Sequence, residues 1–281
     1  GYDPNRGAAL MVWQDGHRFI KRGMGPRLLT TTENLLHKGK IPPMIHVLVA
    51  PGVIQDYPIN SLTSHNWRTF RSFLYDKIDD DYVRFLLEEL LPEVEKKYRL
   101  RSDGYSRGIA GQSSGAIAAF NAAWHRPDKF SRVLSRIGTF TAVQWRYSST
   151  KYQEGGHIYP FLLRVAPRKN IRIWIEDGSE DLENQFGSWP LQNIQLANSL
   201  KMKEYDFRFT YGNNAHNSAQ GNAQLPEPGS HARDLEGSAL YPRSDACREC
   251  SYRAPRDRRC LSAHPRRAEG AWGDTYVGHL R

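Results

Sequence analysis

Between Arg107 and His125 a short apolar stretch, Ile109-Ala110, runs directly into Gly111-Gln112-Ser113-Ser114-Gly115 and from there into a segment, Ala116 to His125, that is rich in alanine and free of helix breakers. A strand that must become a helix within so few residues needs a very tight turn. The neighbours of the central serine must then be small, and the serine hydroxyl is thrust out above the sheet edge. A chain built around such a turn is expected to be an α/β protein with a mostly parallel sheet.

The remainder of the sequence agrees with that architecture. Ala8 to Trp13 and Met44 to Ala50 are apolar runs that stop at Gln14-Asp15-Gly16 and Pro51-Gly52, the pattern of buried strands ending in turns. A helix-capable segment, Thr30 to His37, lies between them, which suggests a parallel βαβ unit. From Asp81 to Tyr98, Val83, Leu86, Leu87, Leu90, Leu91 and Val94 recur at helical spacing, and Pro92 predicts a kink. Strands are expected at Arg132-Val133-Leu134, Ile171 to Ile175 and Tyr205 to Tyr211, and a helix from about Pro190 to Met202. The fold class expected is an open, mostly parallel sheet with helices on both faces.

The chain has 281 residues, enough for one large domain, which is placed at residues 1–226. Residues 227–281 contain ten Arg, no Lys and all three cysteines, and show no period of 2 or 3.6, so they read as a poorly ordered tail. Cys247, Cys250, Cys260 and His264 are ligand types that zinc accepts, but their spacing matches no strong zinc pattern, and neither metal nor cofactor is expected. The formal net charge is +9, yet the basic residues of the body are interleaved with acids, so neither nucleic acid nor a membrane surface is the expected partner. No run reaches the 18 or so apolar residues of a membrane span. Homo-oligomerisation and cellular location are left open.

A serine hydroxyl becomes a useful nucleophile when a histidine takes its proton and a carboxylate orients that histidine. With Ser113 as nucleophile, His216 is the expected base, because it follows a late strand in the loop Gly212-Asn213-Asn214-Ala215. Two aspartates, Asp177 and Asp181, follow the Ile171 to Ile175 strand. Asp181 is preferred because it lies further into the loop, while Asp177, Glu180 and Glu183 stay in contention. An oxyanion would be held by the N–H of Ser114 and by a second N–H, from Gly16 or His17, in the turn after the first strand. The aromatic residues Trp67, Phe70, Phe73 and Tyr75, together with Trp189, are candidates for a substrate pocket or for the core.

Met11-Val12-Trp13-Gln14-Asp15-Gly16, Arg71-Ser72-Phe73 with Tyr75-Asp76, Gly111 to Gly115, Arg126-Pro127-Asp128-Lys129-Phe130 and Asp177-Gly178-Ser179-Glu180-Asp181-Leu182 occur in this order over residues 2–227. In this the chain resembles the esterase family that includes enterochelin esterases, esterase D and the feruloyl and acetyl xylan esterases of carbohydrate esterase family 1. The resemblance implies an α/β-hydrolase fold, metal-free hydrolysis of carboxylic esters, and a triad falling on Ser113, Asp181 and His216. Two departures stand out. The histidine loop reads Asn214-Ala215-His216-Asn217 where such relatives carry glycines, and the Arg-rich tail follows Leu225-Pro226 where they carry a closing helix. The start near Tyr2 leaves no room for their earliest edge strands. A small-molecule ester is the expected substrate; acyl transfer by the same residues and a non-catalytic binding module are the alternatives.

Overall fold

A computed structural model describes residues 2–18, 24–51, 71–143 and 155–217, with side chains omitted for 24–27. The strands are β1 (Ala9–Gln14), β2 (Met44–Val49), β3 (Arg107–Gln112), β4 (Arg132–Arg136), β5 (Arg172–Glu180), β6 (Glu183–Asn184), β7 (Gly187–Ser188) and β8 (Phe207–Ala215). Six of them form one sheet in the order β2-β1-β3-β4-β5-β8, and every neighbouring pair is parallel. Strands β6 and β7 make a separate antiparallel pair. The expected parallel α/β architecture is therefore present.

Helices α1 (Met24–His37), α2 (Asp81–Arg84), α3 (Leu91–Glu95), α4 (Ser114–His125), α5 (Tyr159–Val165) and α6 (Trp189–Met202) connect the strands. Helix α4 is buried from Ser114 to Trp124. Its composition explains this: small alanines let it lie close to the sheet, and it has no charged face to present to water. Phe120 is the hub of an aromatic cluster, edge-on to Phe140 and Tyr159 and stacked on Trp124 at centroid distances of 5.5, 4.8 and 6.1 Å.

Three expectations need correction. Pro92 does not simply kink an α-helix: a π-helical stretch, Phe85–Leu90, joins α2 to α3, and the Leu91 N–H reaches back five residues to Leu86 O. A proline ring clashes with the carbonyl four residues earlier in an α-helix, and a wider turn ahead of it removes that conflict. The wide turn also explains why Leu86 and Leu91, five apart, are both fully buried while Leu90 is not. Next, β5 continues through Asp177 to Glu180, a segment whose Asp and Gly read as a turn; its pairing with β8 carries it on, with an irregularity between Gly178 and Glu180. Strand β8 likewise runs to Ala215, past the Gly and Asn residues that suggested a loop.

Chain order places a switch point in the middle of the sheet. From β1 the chain moves outward to β2 and then returns to the other side of β1 as β3. The loops leaving the carboxyl ends of β1 and β3 therefore part in opposite directions and open a crevice, the usual ligand site of such sheets.

Phe120→Ala should lower unfolding stability by about 3–5 kcal/mol, the cost of a large buried aromatic. Leu191→Ala, at an exposed position, should change it by no more than about 0.5 kcal/mol. Urea unfolding followed by tryptophan fluorescence measures both, and equal effects would show that the Phe120 cluster is not the core.

Candidate active site

Ser113 occupies the turn between β3 and α4 with φ 56° and ψ −126°, a conformation that a side chain adopts only when its surroundings impose it. Those surroundings are backbone. The Ser113 N–H donates to Arg136 O at 3.0 Å, and the Ser113 carbonyl accepts from Ala116 N–H at 2.9 Å and Thr139 N–H at 3.2 Å. The flanking glycines are required by contact. A Cβ at Gly111 would lie 2.1 Å from Gly115 O, and one at Gly115 would lie 2.9 Å from Gln14 Cβ and 3.1 Å from Asp15 Oδ2.

The turn presents Ser113 Oγ to His216, whose Nε2 is 3.0 Å away, and His216 Nδ1 is 2.5 Å from Asp181 Oδ1. A carboxylate can only accept, so Nδ1 carries the ring proton and donates it; Nε2 of the neutral ring is then left to accept from the serine. His216 sits just past the end of β8, and Asp181 just past the end of β5. The close approach of those two strand ends depends on Gly178, where a Cβ would meet Asn214 O at 2.2 Å. Asp181 Oδ1 also accepts from the Leu182 N–H at 2.6 Å. Burial works against its charge, but the hydrogen bond and charge of His216 outweigh it and hold Asp181 below the usual carboxylate range.

Of the other carboxylates in contention, Glu180 and Glu183 are exposed, and Asp177 is buried on β5 with no hydrogen bond to His216. Ser114, the first residue of α4, has no carbonyl of its own helix for its N–H to meet. The Gly16 N–H corrects the sequence reading: it donates to Val49 O at 2.8 Å, extending the β1–β2 ladder, and is not available to a ligand. His17 is the remaining candidate in that turn.

The aromatic candidates separate. Tyr75 is 0% exposed and packs edge-on to Tyr82 at 5.1 Å, so it belongs to the core and not to a pocket wall. Phe73 is 45% exposed, with Lys77 Nζ 5.2 Å from its ring centroid. Trp67 and Phe70 lie outside the described residues. Trp189 stands edge-on to His216, with centroids 6.0 Å apart, and its Nε1–H donates to Thr139 Oγ1 at 3.2 Å. Thr139 Oγ1 is in turn 3.1 Å from Ser113 Oγ. An indole nitrogen is a donor only, so it takes one lone pair of Thr139; with the Ser113 proton directed at His216, the threonine proton is the one that serves the contact with Ser113. Nothing in the sequence around Thr139 marks it.

Beneath the crevice, Arg71 forms a two-pronged pair with Asp15, Nε to Oδ1 at 2.7 Å and Nη2 to Oδ2 at 2.5 Å, and Nη2 also reaches Gln112 O at 3.2 Å. The pair is buried and ties the turn after β1 to the end of β3. Ser114 Oγ donates to buried Asp76 at 3.0 Å, and Tyr82 donates to Gln14. Among the described residues no group of three or more His, Cys, Asp or Glu could hold a metal ion. No helix among them is long and apolar enough to cross a membrane.

The family model described as "Putative esterase" matches residues 1–233. The chain belongs to that esterase family. Similar curated proteins include the iron(III) enterobactin esterase of Escherichia coli O6:H1, 24% identical over 52% of this chain and 32% of that protein. Another is an endo-1,4-beta-xylanase/feruloyl esterase of Xylanibacter ruminicola, 26% identical over 35% of this chain and 12% of that protein. The chain thus spans a third or less of the length of these two relatives.

Among solved structures, the Shigella flexneri enterobactin esterase superposes with a TM-score of 0.56 at 23% identity, covering 78% of this chain and 52% of that one. A ferulic acid esterase of Anaeromyces mucronatus superposes with a TM-score of 0.55 at 18% identity, covering 79% and 78%. These likenesses establish that the esterase-family chain has the α/β-hydrolase type of fold.

Arg71→Met would leave Asp15 buried without its counter-charge, and should cost about 3–5 kcal/mol of stability. Asp15→Asn combined with Arg71→Met should cost less than Arg71→Met alone. Chemical denaturation of the three variants measures the difference; an additive double variant would mean that the two side chains do not depend on each other.

Proposed function

We propose that this chain is a serine carboxylesterase in which Ser113 is the nucleophile, His216 its general base and Asp181 the group that orients the histidine. The observation that carries the reading is the unbroken contact from Ser113 Oγ through both nitrogens of His216 to Asp181 Oδ1, at 3.0 and 2.5 Å. Membership of the esterase family supports the same class of reaction.

In this mechanism Ser113 Oγ adds to the ester carbonyl while its proton passes to His216 Nε2. The resulting oxyanion accepts hydrogen bonds from the N–H groups of Ser114 and His17. Collapse breaks the bond to the alcohol, which leaves with the proton from His216. Water then adds to the acyl-enzyme, gives a proton to His216 and releases the acid, and the proton returns to Ser113. Asp181 offsets the imidazolium charge that appears twice in this cycle. Thr139, itself bonded by Trp189, donates to Ser113 Oγ and so leaves the serine proton for His216.

His216 keeps 22% of its side-chain surface exposed, and access of solvent to the ring favours water over another acyl acceptor. Short-chain acyl esters are the first substrates to test. A relative named for feruloyl esters makes aromatic acyl groups the next class.

Purified chain should hydrolyse p-nitrophenyl acetate and butyrate and should be labelled by a fluorophosphonate. Ser113→Ala should abolish both. His216→Ala and Asp181→Asn should each lower kcat by roughly 10⁴-fold, as expected for residues that act as a unit. Thr139→Val should lower kcat about tenfold, near 1.4 kcal/mol of barrier, and Thr139→Ser should restore most of it. Turnover that survives Ser113→Ala would overturn the assignment.

A further inference from the structure

Three carboxylate oxygens of the site are buried without a hydrogen-bond donor: both oxygens of Asp177, and Oδ2 of Asp181. A buried acceptor with no donor is costly and rare. Asp177 is 1% exposed and stands on β5 four residues before Asp181. The strand irregularity after Gly178 and the bond from Asp181 N–H to Gly178 O, 3.2 Å, fold the chain back and bring the two carboxyl groups close enough for each to shift the other's titration.

The Gly178 N–H and the Asn193 side chain lie near Asp177 and favour its charge, but less than burial and Asp181 oppose it. The Asn193 side chain on α6 is close, but its amide protons go to Gly138 O at 2.9 Å and Trp189 O at 3.0 Å. Tyr211, the register partner of Asp177 on β8, is a titratable group facing both aspartates. The cation on the adjoining strand β4, Arg136, is paired with Glu176 at 2.8 Å, and Glu176 points to the other face of the sheet from Asp177. His216 donates to the other oxygen of Asp181. A proton kept between the two carboxyl groups would give these oxygens the partner they lack.

We propose that Asp177 is a positioning residue that keeps a proton and donates it to Oδ2 of Asp181, so that the pair carries one negative charge and Asp181 meets His216 in one fixed orientation. The inference rests on Asp181 being the acid of the proposed triad. It gives Asp181 a partner for each oxygen: Asp177 for Oδ2, and His216 and the Leu182 N–H for Oδ1. Burial, and then the hydrogen bond and charge of Asp181, push the Asp177 carboxyl up to about 9, in keeping with a neutral group at pH 7. Like charges this close cannot both be ionised, and Asp181, already bonded to His216, is the one that keeps its charge.

The sign of the pH dependence follows. A carboxyl whose folded value is raised stabilises the fold fully below its unfolded value, and that contribution is lost as pH rises toward about 9. Asp177→Asn cannot ionise, and therefore loses nothing over that window. In thermal unfolding of the full chain, wild type and Asp177→Asn should have similar midpoints near pH 4, and the Asn variant should unfold at a progressively higher temperature relative to wild type toward about pH 8. Infrared difference spectra at neutral pH should show a protonated carboxyl band that Asp177→Asn removes and Asp181→Asn alone does not.

In turnover, Asp177→Ala should lower kcat about tenfold with KM little changed, and Asp177→Asn should restore most of the loss. The acid limb of the kcat/KM profile should stay in place in the Asn variant; a shift to lower pH would mean that a negative charge had been removed. That shift, a missing infrared band, or a midpoint difference independent of pH would each overturn the proposal. The thermal and infrared readouts require no turnover. They decide the proton on Asp177 even if Ser113→Ala shows that the esterase reading is wrong.

Discussion

Everything at the centre of this molecule follows from how closely β3 and α4 must approach at Gly111 and Gly115. With 2.1 Å between the carbonyl of Gly115 and any Cβ at Gly111, no larger residue fits there without moving the backbone. That approach forces Ser113 into a conformation side chains avoid. The cost is met by backbone bonds from Arg136 and Thr139, which come from the end of β4 and the turn beyond it. A strained residue persists only when its surroundings determine it several times over, and here the end of β4 and the turn beyond it both do so. The serine is aimed by the sheet and not by its own torsional preference.

The same closeness explains why buried charge collects under the site. A Cβ at Gly115 would meet Gln14 and Asp15 of the first turn, so the elbow lies directly against that turn. Arg71 then neutralises Asp15 and grips the Gln112 carbonyl, joining the β1 turn to the elbow. Burial opposes the Arg71 charge, and its bond to Asp15 more than compensates, so the guanidinium is held above its ordinary value. The pair is better understood as a brace between two loops than as a source of net stability.

Much of this could be read from the sequence because the informative signals were local. The glycines around Ser113, the apolar runs of β1, β2 and β5, and the position of His216 after the last strand all reflect short-range rules. What escaped were consequences of pairing between distant segments. Polar residues at the carboxyl ends of β5 and β8 look like turns until the two strands are seen to support each other. Tyr75 looked like a pocket residue because an aromatic gives no hint of which way it faces. Gly16 had the right place for an oxyanion donor, and only the approach of Val49 shows its N–H to be taken. Thr139 belongs to no motif, and its importance arises wholly from standing between Trp189 and Ser113.

The π-helical stretch from Phe85 to Leu90 has a consequence for phase. One surplus residue in a helix turns everything after it by about 100° relative to an unbroken α-helix. Glu95 lies on the later side of that stretch, and its carboxylate meets Arg107, at the first residue of the central strand, at 2.7 Å. The helix thus works like a key whose teeth after the notch are cut to a different rotation from those before it. Loss of any single residue between Phe85 and Leu90 would restore ordinary helical winding at that point. Leu91 and Glu95 would keep their faces after such a loss, whereas ordinary winding with all six residues retained would swing Leu91 away from the core and Glu95 away from the strand that leads to the serine.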